Sequence, residues 1–199
     1  MSEVEIIMGI KRSGKSLFLN SYLEMTNLKN ERMLIIMIDD GNTKLRDDFK
    51  DVYIKVKKFN SIFEINENKL MYLINIYNPH RILVEGNYVS SKYIYQLFLE
   101  GKLKKYLIIS SIIEIINSRD LYKVTKNKLN KIESNIIIIN NFDKNQVLYE
   151  HIESIKFRNK TSFVFCIEDF KEIYEKFKNY QIIKSDIHRK IFKYLKEHI

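Results

Sequence analysis

A short stretch near the amino terminus combines glycine, lysine and serine at a fixed spacing. Residues 9–16 read GIKRSGKS and match the pattern G-x-x-x-x-G-K-[ST] at every fixed position. Glycine has no side chain, so successive backbone N–H groups around it can turn inward toward phosphate oxygens. The chain has only five glycines, and Gly9 and Gly14 are two of them. The stretch therefore predicts a phosphate-binding loop.

The residue types of this loop suggest separate roles. Lys15 is expected to contact the β- and γ-phosphates, and the Ser16 hydroxyl to bind Mg²⁺. The amino terminus of the following helix adds partial positive charge. Lys11 or Arg12 either adds charge across the phosphates or faces solvent. The predicted nucleotide-binding residues of the loop are Gly9, Lys11, Arg12, Ser13, Gly14, Lys15, Ser16 and Leu17.

Two acidic residues follow apolar runs that are typical of strands. Asp40 comes after the run 33–38, and Glu85 ends the run 81–85. Ligands of open α/β sheets bind at the carboxyl ends of the strands, where a carboxylate can hold Mg²⁺ or orient water. Lys15, Asp40 and Glu85 are the predicted catalytic residues, and Ser16, Asp40 and Glu85 the predicted magnesium ligands. An Asp-Asp-Gly turn is an equally good explanation of Asp40 taken alone.

A third polar segment, Asn140-Asn141-Phe142-Asp143, follows the apolar run 135–139. It differs from the N-K-x-D pattern of GTP-binding proteins only at Asn141, where the pattern has lysine. In that pattern the aspartate accepts two hydrogen bonds that guanine supplies and adenine does not. We therefore predict that Asn140 and Asp143 bind the base, with GTP favoured over ATP. An Asn/Asp-rich turn remains the alternative.

Strands and helices are expected to alternate along the whole chain. The predicted strands are 4–8, 33–38, 52–56, 81–85, 106–113, 135–139 and 162–167, several of them apolar on both faces. The predicted helices are 15–27, one that begins near a Ser61/Glu64 capping box, 91–100 with Gly101 as a left-handed cap, 118–132, 144–157, 168–178 and 185–197. This order predicts a three-layer α/β/α P-loop NTPase fold with a mainly parallel sheet of about seven strands.

Composition predicts one nucleotide-binding domain over residues 1–199, with a C-terminal amphipathic helix in 185–199. The net charge is +9, but the lysines are spread among acids, so a solvated surface is favoured over a nucleic-acid face. The amino terminus resembles neither a signal peptide nor a membrane span, and we expect a cytoplasmic protein. The single cysteine, Cys166, is expected to be a small core residue.

Four segments together resemble the CobW/HypB/UreG family, the accessory GTPases of urease, hydrogenase and cobalamin. They are MGIKRSGKSLFLNSYL, IMIDDGN, RILVEGN and LNKIESNIIIINNFD, in the family's order and at similar separations, and the similarity spans roughly residues 4–178. The resemblance implies a P-loop GTPase that uses Mg²⁺ and serves a client protein. Residues 41–80 contain no cysteine, and Tyr88 stands where the family has glycine. The chain therefore resembles a divergent member without the family's cysteine motif.

The leading hypothesis is a Mg²⁺-dependent GTPase that acts as an accessory factor, with slow hydrolysis unless a homodimer partner or a client completes the site. One alternative is a small-molecule or nucleoside kinase that uses ATP. Its lid is expected to be rich in arginine, and the few arginines of this sequence are not clustered, which argues mildly against a kinase. The other is a nucleotide-gated binding module without turnover, to which Tyr88 and Asn141 point. The identity of the client, and whether a metal is carried, stay open.

Overall fold

The structure is a computed structural model, and it describes residues 1–26, 31–38, 53–126, 134–143, 149–159 and 162–168. The described residues form a sheet of seven strands in the order β3-β2-β4-β1-β5-β6-β7. All neighbouring strands run parallel. The strands are β1 (Ser2–Met8), β2 (Met33–Ile38), β3 (Ile54–Phe59), β4 (Arg81–Glu85), β5 (Leu107–Asn117), β6 (Ile136–Asn140) and β7 (Phe163–Cys166).

Helices cover both faces of this sheet, as a parallel sheet with strands buried on both sides requires. They are α1 (Lys15–Thr26), α2 (Glu67–Tyr77), α3 (Tyr88–Tyr95), α4 (Leu121–Lys126) and α5 (Tyr149–Arg158). Leu19 of α1 packs with Ile7 and Leu83 on one face. On the opposite face, side chains of α2 and α3 pack against β1, β2 and β4, and those of α4 and α5 pack against β5 and β6. The predicted α/β P-loop NTPase fold is confirmed.

The largest differences in strand extent from the sequence prediction are in β3 and β5. β5 was expected to end at residue 113 but continues through Glu114 to Asn117. The polar Glu114 stays within the strand because Tyr88 and Ser134 donate hydrogen bonds to its two carboxyl oxygens. β3 was expected at 52–56 but runs from Ile54 to Phe59, with exposed lysines. It lies at one edge of the described sheet, and edge strands commonly carry lysine.

Two predicted helix caps are also wrong. Ser61 caps a short 3₁₀ turn at 62–64, whereas α2 is capped by Asn66, whose side-chain oxygen accepts from Lys69 N at 2.9 Å. Gly101 has φ −80°, so it is not a left-handed cap. A Cβ there would lie 2.0 Å from Glu67 Oε1 and 3.0 Å from the Leu97 carbonyl oxygen, so any other residue would force the Glu67 side chain to shift. α3 itself continues as one π-helical turn over Gln96–Glu100.

Several predicted segments lie outside the described residues. These are nearly all of the predicted helix 168–178, the helix 185–197 with the rest of 185–199, and the parts 127–132 and 144–148 of two other predicted helices. The prediction of one domain over residues 1–199 likewise stays a prediction.

A buried polar network fastens α1 to the sheet. Tyr22 of α1 donates its hydroxyl to Glu5 Oε1 at 3.0 Å, and Arg81 Nη1 pairs with the same carboxylate oxygen. Glu5 is completely buried. Burial, together with the charge of Glu5, raises the pKa of Tyr22 well above its ordinary value, so the phenol stays a donor. The network fixes the helix that begins at the phosphate loop.

Candidate functional site: a phosphate loop at the carboxyl edge of the sheet

The predicted phosphate loop, residues 9–16, leads from the end of β1 into the first turn of α1. Gly14 has φ 106°, a conformation that favours glycine. At Gly9 the reason for glycine is space, because a Cβ would lie 2.4 Å from the Ile115 carbonyl oxygen and 2.5 Å from Ser13 Oγ. Both glycines are therefore required by the backbone of this turn. Phe18 N donates to Gly14 O at 2.9 Å, so the helix begins directly after the loop.

Lys15 is directed back over the loop. Its ammonium donates to the carbonyl oxygens of Gly9 at 3.0 Å and Ile10 at 2.9 Å, and the residue is 8% exposed. A buried cation thus lies among the backbone groups of the loop, where the amino terminus of a helix already favours anions. The remaining loop residues differ in exposure: Ser13 is buried, Ser16 is partly buried, and Lys11, Arg12 and Leu17 are exposed.

The side chain of Asn140 contacts the backbone of the phosphate loop and supports it. Asn140 ends β6 and is 2% exposed, and its side-chain amide donates to the Ser13 carbonyl oxygen at 3.2 Å. Sequence analysis predicted that Asn140 binds the base, but the contact observed is with the phosphate loop. Within the described part of the chain, the buried atoms Ser13 Oγ and Asn140 Oδ1 have no hydrogen-bond partner. These polar atoms are consistent with a site that takes a polar ligand.

Glu85 lies at the carboxyl end of β4, between the ends of β1 and β2, where it pairs in register with Ile7 and Met37. It is 6% exposed. By strand alternation it is on the same face as Leu83, which packs against α1, so its carboxylate is on the side of Lys15 and Ser16. The hydroxyl of Ser16 and this carboxylate are oxygen ligands of the kind Mg²⁺ prefers. Asp40, the other predicted ligand, lies outside the described residues.

The segment after Glu85 crosses to the other face of the sheet. Tyr88, the first residue of α3, is buried and donates its hydroxyl to Glu114 Oε1 on β5. Ser134 Oγ donates to Glu114 Oε2 at 3.3 Å. Burial raises the pKa of Glu114, although these two hydrogen bonds oppose the rise. Sequence analysis missed Glu114, and the available signal was a single acid inside the apolar run 107–116.

Asn141 and Asp143 form a separate part of the carboxyl edge. Asn141 is exposed with φ 55°, a left-handed conformation that asparagine tolerates, and its carbonyl oxygen accepts from Ser118 Oγ at 2.5 Å. Phe142 N donates to Ile167 O at 2.8 Å, which ties this segment to the end of β7. Asp143 follows and is partly buried. Its predicted contact with the base stays a prediction.

One expectation about cysteine is wrong. Cys166 is exposed and is not part of the core; it ends β7, which lies at one edge of the described sheet. Partial burial nonetheless raises the pKa of its thiol, which Lys156 opposes. In the described ranges, His, Cys, Asp and Glu side chains form no group of three suited to a metal ion. None of the helices described has the length and apolarity to cross a membrane.

Comparison with solved structures places the fold among P-loop proteins. The chain is similar to the hydrogenase maturation factor HypB from Archaeoglobus fulgidus, with 15% identity, a TM-score of 0.61 and 89% of each chain covered. It is similar to HypB from Helicobacter pylori, solved in complex with nickel, with 13% identity, a TM-score of 0.53, and 98% of this chain and 87% of HypB covered.

A third similar structure is the Zn(II)-bound YjiA GTPase from E. coli, with 13% identity, a TM-score of 0.50, and 80% of this chain and 54% of YjiA covered. No protein-family model matches the chain. No curated protein sequence matches it either. The parallel sheet and the loop between β1 and α1 together have the α/β fold of P-loop NTPases. More particularly, the fold is that of HypB and YjiA, so the resemblance suggested by the sequence is confirmed at the level of the fold.

Proposed function

We propose that this protein binds and hydrolyses a nucleoside triphosphate, GTP in preference to ATP, as a divergent relative of the CobW/HypB/UreG GTPases that serves another protein. One observation carries the proposal. The loop 9–16 has two positions that only glycine fits, and it holds the buried ammonium of Lys15 at the amino terminus of α1. Successive N–H groups, a helix terminus and a lysine are the parts from which phosphate sites of this kind are built.

The residues act mainly by positioning and by charge. Lys15 exchanges its contacts with the Gly9 and Ile10 carbonyls for oxygens of the β- and γ-phosphates. Ser16 and Glu85, with Asp40 from the undescribed segment, are the residues that would hold Mg²⁺. Mg²⁺, when bound there, would neutralise part of the negative charge of the phosphates. Glu85 also orients the attacking water, and the amide of Asn140 keeps the loop in place.

Base selection is assigned to Asp143. A carboxylate at this edge of the sheet accepts two hydrogen bonds from guanine, whereas adenine cannot donate both. Asn141 replaces the lysine whose aliphatic stem covers the base in the usual pattern. We therefore expect a preference for guanine that is smaller than in proteins with the complete pattern. HypB is a hydrogenase maturation factor and YjiA is a GTPase. By analogy a client protein, or a second copy of this chain, accelerates hydrolysis.

Isothermal titration with GDP, GTP, ADP and ATP in the presence of Mg²⁺ tests this function, followed by a phosphate-release assay. The wild type is expected to bind guanine nucleotides more tightly than adenine nucleotides and to release phosphate slowly. Lys15→Ala should lose binding of all four. Lys11→Ala is the matched control, because it removes an exposed cation from the same loop and should retain most of the affinity.

Each contrary result has a definite meaning. Equal binding by the wild type and Lys15→Ala would reject the phosphate loop as the site. Tighter binding of adenine nucleotides would reject the role of Asp143 and favour the kinase alternative. Tight binding of GTP without phosphate release, with or without candidate clients, would favour the binding module without turnover.

A further inference from the structure

The segment that follows Glu85 is anchored to a distant strand. In the sheet, β4 and β5 are separated by β1. Tyr88 follows β4 by three residues, yet its hydroxyl reaches Glu114 on β5. Glu114 is the register partner of Met8, the residue directly before the phosphate loop. The tyrosine side chain therefore spans the end of β1 on the face opposite to Glu85 and α1.

The acceptor of this hydrogen bond is itself fixed. Glu114 lies inside β5, paired with Met8 on one side and Ile137 on the other. Its second carboxylate oxygen accepts from Ser134, which is 3% exposed. A carboxyl group whose two oxygens both accept hydrogen bonds is held in one orientation, so Glu114 is a rigid anchor for Tyr88.

Two further restraints hold the residues between Glu85 and the anchor. Asn87 and Ser90 form a reciprocal cap: Ser90 N donates to Asn87 Oδ1 at 3.0 Å, and Asn87 N donates to Ser90 Oγ at 3.1 Å. Gly86 is packed so closely that a Cβ would lie 2.4 Å from Ile94 Cδ1 and 3.4 Å from Met8 Sδ. The reciprocal cap and the close packing of Gly86 thus restrain residues 86–90 on both sides of Tyr88.

We infer that Tyr88 is a positioning residue that holds the segment 86–95 in one conformation whether a nucleoside diphosphate or triphosphate is bound. This rests on the proposed function, which makes Glu85 the acid next to the third phosphate. The segment directly after such an acid is well placed to move when that phosphate binds or leaves. Here the hydrogen bond from Tyr88 to Glu114 prevents movement of the segment 86–95. A client protein therefore distinguishes the diphosphate from the triphosphate state by contacts with another surface.

Hydrogen exchange with mass spectrometry tests the inference on the full chain, in the nucleotide-free state, with GDP and Mg²⁺, and with GTPγS and Mg²⁺. In the wild type, amide exchange over residues 86–95 is expected to differ by less than about twofold between the two nucleotide states. Tyr88→Phe removes the hydrogen bond and keeps the ring. It should exchange about fivefold or more faster in these amides with GDP, and slow down again with GTPγS.

Tyr93→Phe is the matched control. Tyr93 lies on the same helix and donates its hydroxyl to the Ile65 carbonyl oxygen at 3.1 Å, so the variant loses a similar hydrogen bond that does not lead to β5. It should keep equal exchange in the two nucleotide states.

The inference is overturned if the wild type already shows a fivefold difference between GDP and GTPγS over residues 86–95. It is overturned equally if Tyr88→Phe and Tyr93→Phe exchange alike in every state. Calorimetry on the same samples separates this failure from failure of the proposed function. When neither nucleotide binds, the proposed function and the nucleotide part of the inference fail together, whereas the exchange of the nucleotide-free variants still reports on the anchor.

Discussion

The substitution Asn140→Ala distinguishes two roles for Asn140, which are support of the phosphate loop and binding of the base. The side-chain amide of Asn140 donates to the Ser13 carbonyl oxygen at 3.2 Å, in a buried position. Its removal leaves that carbonyl without this donor, which costs about 1–3 kcal/mol. If the penalty falls on the loop conformation that binds phosphate, the dissociation constant rises by about 5- to 150-fold. The rise is the same for GTP, ATP and inorganic tripolyphosphate, because the loop contacts only the phosphates.

The assay is competition titration of the three ligands against a fluorescent nucleotide, with urea unfolding measured in parallel. Asn117→Ala is the control, since Asn117 is the register partner of Asn140 on β5 and its side-chain oxygen instead accepts from Arg119 N at 3.1 Å. We expect near wild-type binding from this control. If Asn140→Ala lost affinity for GTP alone, with the affinities for ATP and tripolyphosphate unchanged, the support role would be refuted. Asn140 would then contact the guanine base.

Three other predictions concern the loop, the anchor and the cysteine. Gly9→Ala places a Cβ 2.4 Å from the Ile115 carbonyl oxygen and should lower the free energy of unfolding by about 1–3 kcal/mol, measured by urea denaturation; an unchanged midpoint would contradict the packing described. The pKa of Glu114 is raised above 4.5 in the folded protein, so its contribution to stability is present below that pH and is lost as pH rises through the folded pKa. Wild type should therefore lose stability relative to Glu114→Gln as pH rises from 4.5, and a constant difference in urea midpoints would argue against a buried carboxyl. Cys166 should react with a disulfide reagent in the native state because it is exposed, but more slowly than free cysteine because its raised pKa leaves less thiolate; a faster reaction would contradict this environment.

Local patterns predicted the strands that are buried on both faces. β2 and β4 have the bounds predicted, because every residue of both strands is buried and a parallel strand buried on both faces has an apolar centre. The predicted bounds were less accurate for strands that mix buried apolar residues with charged ones. β3 carries exposed lysines on the edge of the sheet, and β5 continues past an acid whose partners are 26 and 20 residues away in sequence. No short window of sequence contains those partners.

The candidate site shows the same division. The sequence by itself determined the phosphate loop, since the spacing of Gly9, Gly14, Lys15 and Ser16 encodes a local turn whose requirements lie within eight residues. Only the tertiary structure decided what supports it. Asn140 meets Ser13 across 127 residues of sequence, and Tyr88 meets Glu114 across the end of β1. Such contacts depend on the order of strands in the sheet, because that order brings distant strand ends to one edge.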